Sequence, residues 1–571
     1  DFVPVFRDVS REVPKILVVV CTCGEAFLQN MDENRLRSDL LSDPGVADVI
    51  FADRVCTAKG WSELTKSVEQ AKANRILIGA CLPFVYTGKT IDLGSSAGIH
   101  SGLMDAVDIH SFKNVSFEKE DVLPEESMVA QKLRMGFSRL KRIDPSVAPS
   151  IPSVQKALVV GGGIAGMTAA LAIADHGFKV DLLECGEHLG GNLNWIKKTI
   201  QGASVQPFLE ETIDKVEKHP LLTVHTDSTV TGSFGSVGRF LTTACNKKEK
   251  VSNTFEHGAV ILATGGTEAP TSSYGYGSSE SIITHKQLEQ NLTKNINPKD
   301  LESVVMIQCV DSRQENKKEY CSRICCASTL KNALYLKKIN PDITIYVFYR
   351  DMMAHGFLES YYTQARKEDI IFIQYDLDHE PDVTATEKEV TVTAFEPILG
   401  KNIEIKPDLI VLATGVLPSL TKTLAQSFGA DIDSLGFFQE AESKWRPVDS
   451  LKEGIFACGL SHSPRNITET VASAEASAQR ALRILGDNKI TAGTIVAQIH
   501  HSLCSLCERC VETCPYKART FDPDLRQIKV NPVMCQGCGS CAVACPNSAC
   551  FLTGFMDQQM FDVIDSAFKI I

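Results

Sequence analysis

The sequence predicts a multidomain α/β chain that ends in a small α+β domain. Three observations carry this reading. Residues 155–166, QKALVVGGGIAG, run from an apolar strand through Gly161-x-Gly163-x-x-Gly166 into an alanine-rich helix. Two later segments, HGAVILATGG at 257–266 and DLIVLATGV at 408–416, repeat one strand-plus-Ala-Thr-Gly ending. Residues 504–515, CSLCERCVETCP, and 535–546, CQGCGSCAVACP, share one cysteine spacing. The 571 residues, at about 150 per domain, allow three or four domains. Hydrophobic residues at 44% and charged residues at 22% are those of an ordinary globular chain. Acidic groups outnumber basic ones by 70 to 58, a formal charge of -12, the wrong sign for a nucleic-acid partner.

In chain order, residues 1–150 hold the apolar runs KILVVVCTCG (15–24) and ILIGACLP (76–83), with Cys21, Cys23, Cys56 and Cys81 in or beside them. The Pro-rich stretch 144–154 separates this domain from the body. Ala157 to Ala174 has Thr168 as its only polar side chain and is long enough to suggest a membrane span. Three consecutive glycines at 161–163 argue instead for a strand, a turn and a helix. No other run approaches spanning length, so no transmembrane segment is expected. The start shows no basic-then-apolar targeting pattern, so a cytoplasmic chain is expected.

The glycines Gly161, Gly163 and Gly166 let a backbone approach a pyrophosphate lying on the helix N-terminus. The next apolar strand, FKVDLLE, ends at Glu184, about 20 residues on, where a ribose-binding carboxylate belongs. Gly190, Gly191 and Asn192 continue the loop. Twenty cysteines, clustered with ligand-like spacing in a chain this long, point to metal in a reducing compartment rather than to disulfides.

Each C-terminal run is Cys-x2-Cys-x2-Cys-x3-Cys-Pro, the run of a bacterial-type two-cluster ferredoxin, in which the fourth cysteine ligates the other run's cluster. Cys504, Cys507, Cys510 and Cys545 would hold one [4Fe-4S] cluster, and Cys535, Cys538, Cys541 and Cys514 the second. Two structural zinc sites are the alternative. Cys550 lies outside the repeat and reads as a structural thiol.

The two Ala-Thr-Gly turns, with Thr264 and Gly265 in the first, resemble those of the thioredoxin reductase and disulfide reductase group, whose two dinucleotide-binding domains they join. The resemblance implies FAD in the first unit. That group also has a late GIFAxGD motif; residues 454–459 here read GIFACG, ending at Gly459, with Leu460 at the aspartate position. A helix expected from about Ile467, with Thr468 in its first turn, would aim its positive end at the flavin. The second unit should open near residue 304 with its own glycine turn, but the strand VVMIQ leads into Cys309 with no glycine. Bulk at that turn argues against a bound nicotinamide cofactor.

The segment IQCVDSRQENKKEYCSRICC, with Cys309, Cys321, Cys325 and Cys326, joined to this core and a two-cluster ferredoxin, resembles the A-type chain of heterodisulfide reductase. The N-terminal cysteine segments and the tail FLTGFMDQQMFDVID match that family too. The resemblance implies a thioredoxin-reductase-like flavoprotein core with an α/β N-terminal domain (1–150), a first FAD-binding part (151–300), a degenerate second dinucleotide domain (301–410), a returning FAD segment (411–490) and a ferredoxin domain with its tail (491–571). It implies up to two further clusters, on Cys21, Cys23, Cys56 and Cys81 and on the middle four cysteines; free thiols or zinc stay open for both. It also implies an anaerobic oxidoreductase component, homodimeric within a complex, bifurcating electrons at the flavin between ferredoxin and a higher-potential acceptor. Its partners would be B- and C-like subunits and a hydrogenase-type or NADH-oxidising donor.

Two features depart from the family. The ferredoxin that archaeal members insert after the first Rossmann loop is absent, and Arg465 stands where the family often has a lysine near the flavin. Arginine keeps the charge but cannot give up its proton. Two rival readings follow: a non-bifurcating electron-wiring hub in a quinone- or acyl-CoA-linked complex, and a self-contained NAD(P)H-dependent oxidoreductase resembling the small subunit of glutamate synthase.

Overall fold

The computed structural model describes residues 6–9, 11–23, 32–81, 86–110, 125–143, 150–292, 295–315, 317–386, 389–444, 446–493 and 495–568. The expected break at 144–154 lies outside the described residues as far as 149. The chain forms two compact units, one of residues 1–150 with 491–571 and one of residues 151–490.

In the first unit, four parallel strands order as Val46–Ala52, Ile16–Cys21, Arg75–Ala80 and Met104–Asp108. The two central strands, ILVVVC and RILIGA, are buried at every residue, which is why they read as unbroken apolar runs rather than alternating ones. Leu64 and Val68 of helix Ala58–Ala71 pack on the face bearing Leu17, Val19 and Ile76. Val129, Leu133 and Phe137 of helix Glu125–Lys141 pack on the face bearing Val18, Val20 and Leu77.

The second unit contains two similar halves. The first half has a parallel sheet ordered Ile455–Ala457, Ala259–Leu262, Lys156–Val160, Lys179–Leu183 and Leu222–His225, with an antiparallel sheet spanning 228–257. The second half repeats the plan: Ile282–Thr284, Leu409–Leu412, Ser303–Ile307, Thr344–Tyr349 and Ile371–Gln374 lie parallel, with an antiparallel sheet spanning 382–405. The chain crosses between halves where Gly266–Glu268 pairs antiparallel with Val416–Pro418, directly after the two Ala-Thr-Gly turns. The first crossing is therefore complete before Ile282, ahead of the boundary expected at 301, because Ile282–Thr284 already pairs in the second sheet.

The remainder of the first unit is two small antiparallel ladders, Ala497–Ile499 with Cys550–Leu552 and Arg519–Asp522 with Gln527–Val530. Its last helix, Asp557–Phe568, lies on helix Glu125–Lys141. Ser138 and Ser566 hydroxyls meet at 2.6 Å, and Arg142 Nε donates to Asp562 at 2.8 Å. No helix among the described residues is long and apolar enough to cross a membrane.

Two buried histidines make the second unit acid-sensitive. His257 bonds the Ala259 carbonyl and Thr242 hydroxyl, and burial holds its pKa down at about 4. His285 sits between Thr329 and Asn332, and burial lowers it to about 3. Both stay neutral when folded, so their contribution is present above pH 6.5 and is lost as pH falls toward the folded values. Each is expected to remove about 2 kcal/mol of stability between pH 7 and pH 5. Urea midpoints at the two pH values measure this, and His257→Gln should flatten the slope; an unchanged slope would contradict the assignment.

Candidate functional site

A cavity of about 520 Å³ opens beside the first sheet, within the usual size of a cofactor pocket. Gly161 and Gly163 form its floor at the start of helix Ile164–Asp175. A Cβ on Gly163 would meet no protein atom within 4 Å, whereas one on Gly161 would stand 2.3 Å from the Ala263 carbonyl oxygen. Gly163 is thus a cradle left open for a ligand, and Gly161 a forced close approach. Glu184 lines the wall, its carboxylate accepting from the Gly162 amide at 2.6 Å and the Gly186 amide at 2.7 Å. Gly190, Gly191 and Asn192 close one side, with Asn192 donating to the Gly266 carbonyl at 2.9 Å. Thr264 and Gly265 line the crossing turn, Thr264 donating to the Ser419 carbonyl at 2.9 Å.

Helix Ile467–Leu485 begins at the cavity, with Ile467 and Thr468 on its wall and an Asn466/Glu469 capping box fixing its first turn. Arg465 also lines the cavity, held by Ser463 Oγ at 3.0 and 3.1 Å, and desolvation lowers its pKa. It faces the pocket and is no free loop cation. Two expected cofactor residues lie behind the wall instead. Gly166 packs under Gly161, where a Cβ would reach 1.8 Å from the Gly161 carbonyl oxygen, and Gly459 packs against Ala165. Each permits helix and strand to approach and is too deep to touch a ligand. Thr199, Thr229 and Thr414 line the cavity with buried hydroxyls that have no partner, so the site fits a polar dinucleotide.

The turn after strand Ser303–Ile307 has become a long loop. Cys309, Asp311, Arg313 and Arg323 all take left-handed backbone, and helix Cys325–Ile339 starts only after it. The loop brings Cys309, Cys321, Cys325 and Cys326 together. Burial pushes the Cys325 thiol up to about 12 and the Cys326 thiol to about 11, so a thiolate at either needs a nearby cation. Cys325 also lines the 520 Å³ cavity. Lys318 enters the group, its ammonium on the Thr414 carbonyl.

The N-terminal cysteines also converge. Cys21 ends strand Ile16–Cys21, Cys81 follows strand Arg75–Ala80, and Cys23 and Cys56 lie beside them. This is the carboxyl end of a parallel sheet, where open α/β folds bind ligands. In the C-terminal part, Cys514, Cys535, Cys538 and Cys541 line one small cavity, and Cys510, Cys541 and Cys550 share one buried cluster against which Cys504, Cys535 and Cys545 pack. Cys507 is exposed. Burial opposes the Cys545 thiolate, but the amides of Asn547, Cys550 and Ala549 outweigh it and lower its pKa.

Each of the three cysteine groups has one buried donor without a partner: the Tyr86 hydroxyl beside the N-terminal four, Arg313 Nη1 beside Cys309, and Arg519 Nη2 beside Cys510 and Cys541. Such orphans are costly alone and fit a group that brings its own anionic acceptors, as an iron-sulfur cluster does. Among the described residues, no three His, Cys, Asp or Glu side chains converge as they would on a single metal ion.

Comparison with known proteins extends along the chain. A pyridine nucleotide-disulphide oxidoreductase family matches residues 155–307, and a 4Fe-4S dicluster domain matches residues 503–549. The A-type chain of the H(2):CoB-CoM heterodisulfide,ferredoxin reductase of Methanothermobacter marburgensis is 28% identical, covering 91% of this chain and 93% of its own. The iron-sulfur A-type chain of the CoB--CoM heterodisulfide reductase of Methanocaldococcus jannaschii is 27% identical over 97% and 99%. Over nearly its whole length the chain is similar to heterodisulfide reductase A-type chains. It is an FAD oxidoreductase with [4Fe-4S] clusters, a flavin and iron-sulfur component for electron transfer. The alignment with the M. marburgensis relative runs over 618 positions, more than this chain has residues, so that relative holds segments missing here. A solved thioredoxin reductase from T. acidophilum superposes on 58% of this chain and 98% of its own, at 18% identity and a TM-score of 0.42.

Sequence reading missed the donors that serve the cysteine groups. Tyr86, Arg313, Lys318 and Arg519 carry no spacing signal of their own, and folding alone brings them to the sulfurs. His176 and His462, close in sequence to the flavin-site segments, are structural: each bonds a backbone carbonyl, and His462 also meets Glu440 at 3.0 Å. His188 is exposed.

Proposed function

We propose that this chain is the cytoplasmic, bifurcating component of a heterodisulfide-reductase-like complex. Electron pairs reaching the chain would be divided between ferredoxin and a higher-potential acceptor on B- and C-like subunits. A hydrogenase-type or NADH-oxidising partner supplies the pair, and the complex is built on a homodimer. The observation that carries this reading is the double role of Cys325, which lines the flavin cavity and belongs to the middle cysteine group. An exit for single electrons therefore begins at the cavity wall.

FAD, when bound, supplies the conversion between paired and single electrons. The chain's residues do the rest. Gly161 and Gly163 would admit the pyrophosphate, Glu184 would receive the ribose hydroxyls, and the start of helix Ile467–Leu485 with Arg465 would supply positive charge to a reduced flavin. Arg465 holds that charge without exchanging its proton. The glycine-free turn at Cys309 disfavours direct NAD(P)H oxidation.

Anaerobic iron, sulfide and flavin analysis combined with a redox titration followed by EPR tests this. About sixteen irons per flavin support four clusters, and about eight leave only the C-terminal pair. A flavin that titrates in one two-electron wave supports bifurcation. Two separated one-electron waves would instead favour the simpler wiring hub, and rapid bleaching of the lone chain by NADH would favour the self-contained oxidoreductase.

A further inference from the structure

The two C-terminal runs are followed by matching segments, Cys514-Pro515-Tyr516-Lys517-Ala518-Arg519 and Cys545-Pro546-Asn547-Ser548-Ala549-Cys550. Arg519 and Cys550 hold the same place in the repeat, and each opens a short strand. In the fold these two positions meet. Arg519 Nη1 donates to Cys550 Sγ at 3.3 Å, and the residues are only 3% and 7% exposed.

The surroundings of Arg519 are unusual for a buried cation. The groups that act on it are the sulfurs of Cys541, Cys550 and Cys510 rather than a carboxylate. Its Nη2 is buried without a partner, and its side chain lines the cavity of Cys514, Cys535, Cys538 and Cys541. Burying a guanidinium that has thiols but no carboxylate for partners is expensive, so Nη2 calls for an anion on the side where the protein supplies none. Cys550 in turn contacts Cys545, which belongs to the other ligand set. A continuous path thus runs from Cys541 through Arg519 and Cys550 to Cys545.

We propose that Arg519 and Cys550 bridge the two C-terminal cluster sites, with the Arg519 guanidinium as the fixed positive charge that lets both clusters hold an added electron at once. The inference rests on reading the two runs as two [4Fe-4S] sites. Two neighbouring clusters repel each other's added electrons in a low-dielectric interior. A cation between them offsets that repulsion, while Cys550 accepts from Arg519 and offers its S–H to Cys545. Arg519 is a positioning residue here, since it acts on the clusters and ligates neither.

The test compares the full iron-replete chain with Arg519→Met, Arg519→Lys and Cys550→Ala, measuring iron content and following a redox titration by EPR. The magnetic interaction of two adjacent reduced clusters marks the C-terminal pair. Arg519→Met should keep its iron and show an at least tenfold lower reduced-to-oxidised ratio at the wild-type midpoint, which is about 59 mV for a one-electron step, with the cluster reduced last shifting more. Arg519→Lys should recover part of the shift, and Cys550→Ala should keep all iron and move less in the same direction. Loss of iron from Arg519→Met alone, with Arg519→Lys replete, also supports the charge requirement. Unchanged midpoints in replete Arg519→Met, or loss of about four irons from both arginine variants, would overturn the proposal and leave Arg519 a packing residue. A wild-type chain that binds no iron through the eight C-terminal cysteines would instead overturn the cluster reading itself.

Discussion

Replacing Gly161 with alanine is expected to strip the chain of flavin while leaving its C-terminal clusters in place. Gly161 has φ +114, and an added Cβ would stand 2.3 Å from the Ala263 carbonyl oxygen and 3.0 Å from the Thr264 amide nitrogen. The backbone conformation alone costs an L-residue roughly 1–2 kcal/mol. Relieving the overlap must displace the Ala263–Thr264 backbone, and with it one wall of the pocket. Together these should lower flavin affinity by about a hundredfold or more, because every 1.4 kcal/mol is a factor of ten. Gly163→Ala is the matching control. Its Cβ crowds no protein atom, so the thermal midpoint should hold while bound flavin falls. Visible spectra of the two purified variants, with iron analysis, decide the matter; normal flavin content in both would mean that the cofactor lies elsewhere.

Cys321→Ser is expected to remove about four irons and to isolate the flavin from the rest of the chain. Cys321 sits with Cys309, Cys325 and Cys326 in the loop that has displaced a glycine turn. With Cys325 on the cavity wall, this group borders the proposed flavin site. Flavin reoxidation by an external one-electron acceptor should slow by at least an order of magnitude, against an unchanged rate of flavin reduction. Stopped-flow traces of both half-reactions give the comparison. A variant that keeps all its iron, or reoxidises at the wild-type rate, would remove the middle cysteines from the path.

Much of the site is legible in the sequence, for definite reasons. Gly161, Gly163 and Glu184 are legible because a strand, a turn and the next strand fix their spacing within one local unit. The C-terminal ligands are legible because the geometry of a cubane imposes a short, repeated interval. The start of helix Ile467–Leu485 follows from the glycine motif before it. Gly166 and Gly459 read as ligand contacts in the sequence because motif membership does not separate a residue that touches a cofactor from one that lets two elements close up behind it. Arg465 is legible as a charge but not as a pocket residue, since only the fold turns it inward. Cys550 looks surplus in the sequence because its partner, Arg519, is 31 residues away and is not itself a ligand type. Buried donors of this kind are set by long-range packing and leave no periodic trace.

The first compact unit is discontinuous, since residues 1–150 are completed by 491–571. Helix Glu125–Lys141 leaves the ribosome early, yet the helix that covers part of it, Asp557–Phe568, is the last described element of the chain. At about 5–20 residues per second, synthesis of the intervening stretch takes roughly 20–80 s. During that interval Ser138 and Arg142 await their partners Ser566 and Asp562. A chain cut short before residue 557 would therefore leave the Ser138 and Arg142 face of helix Glu125–Lys141 without its partners.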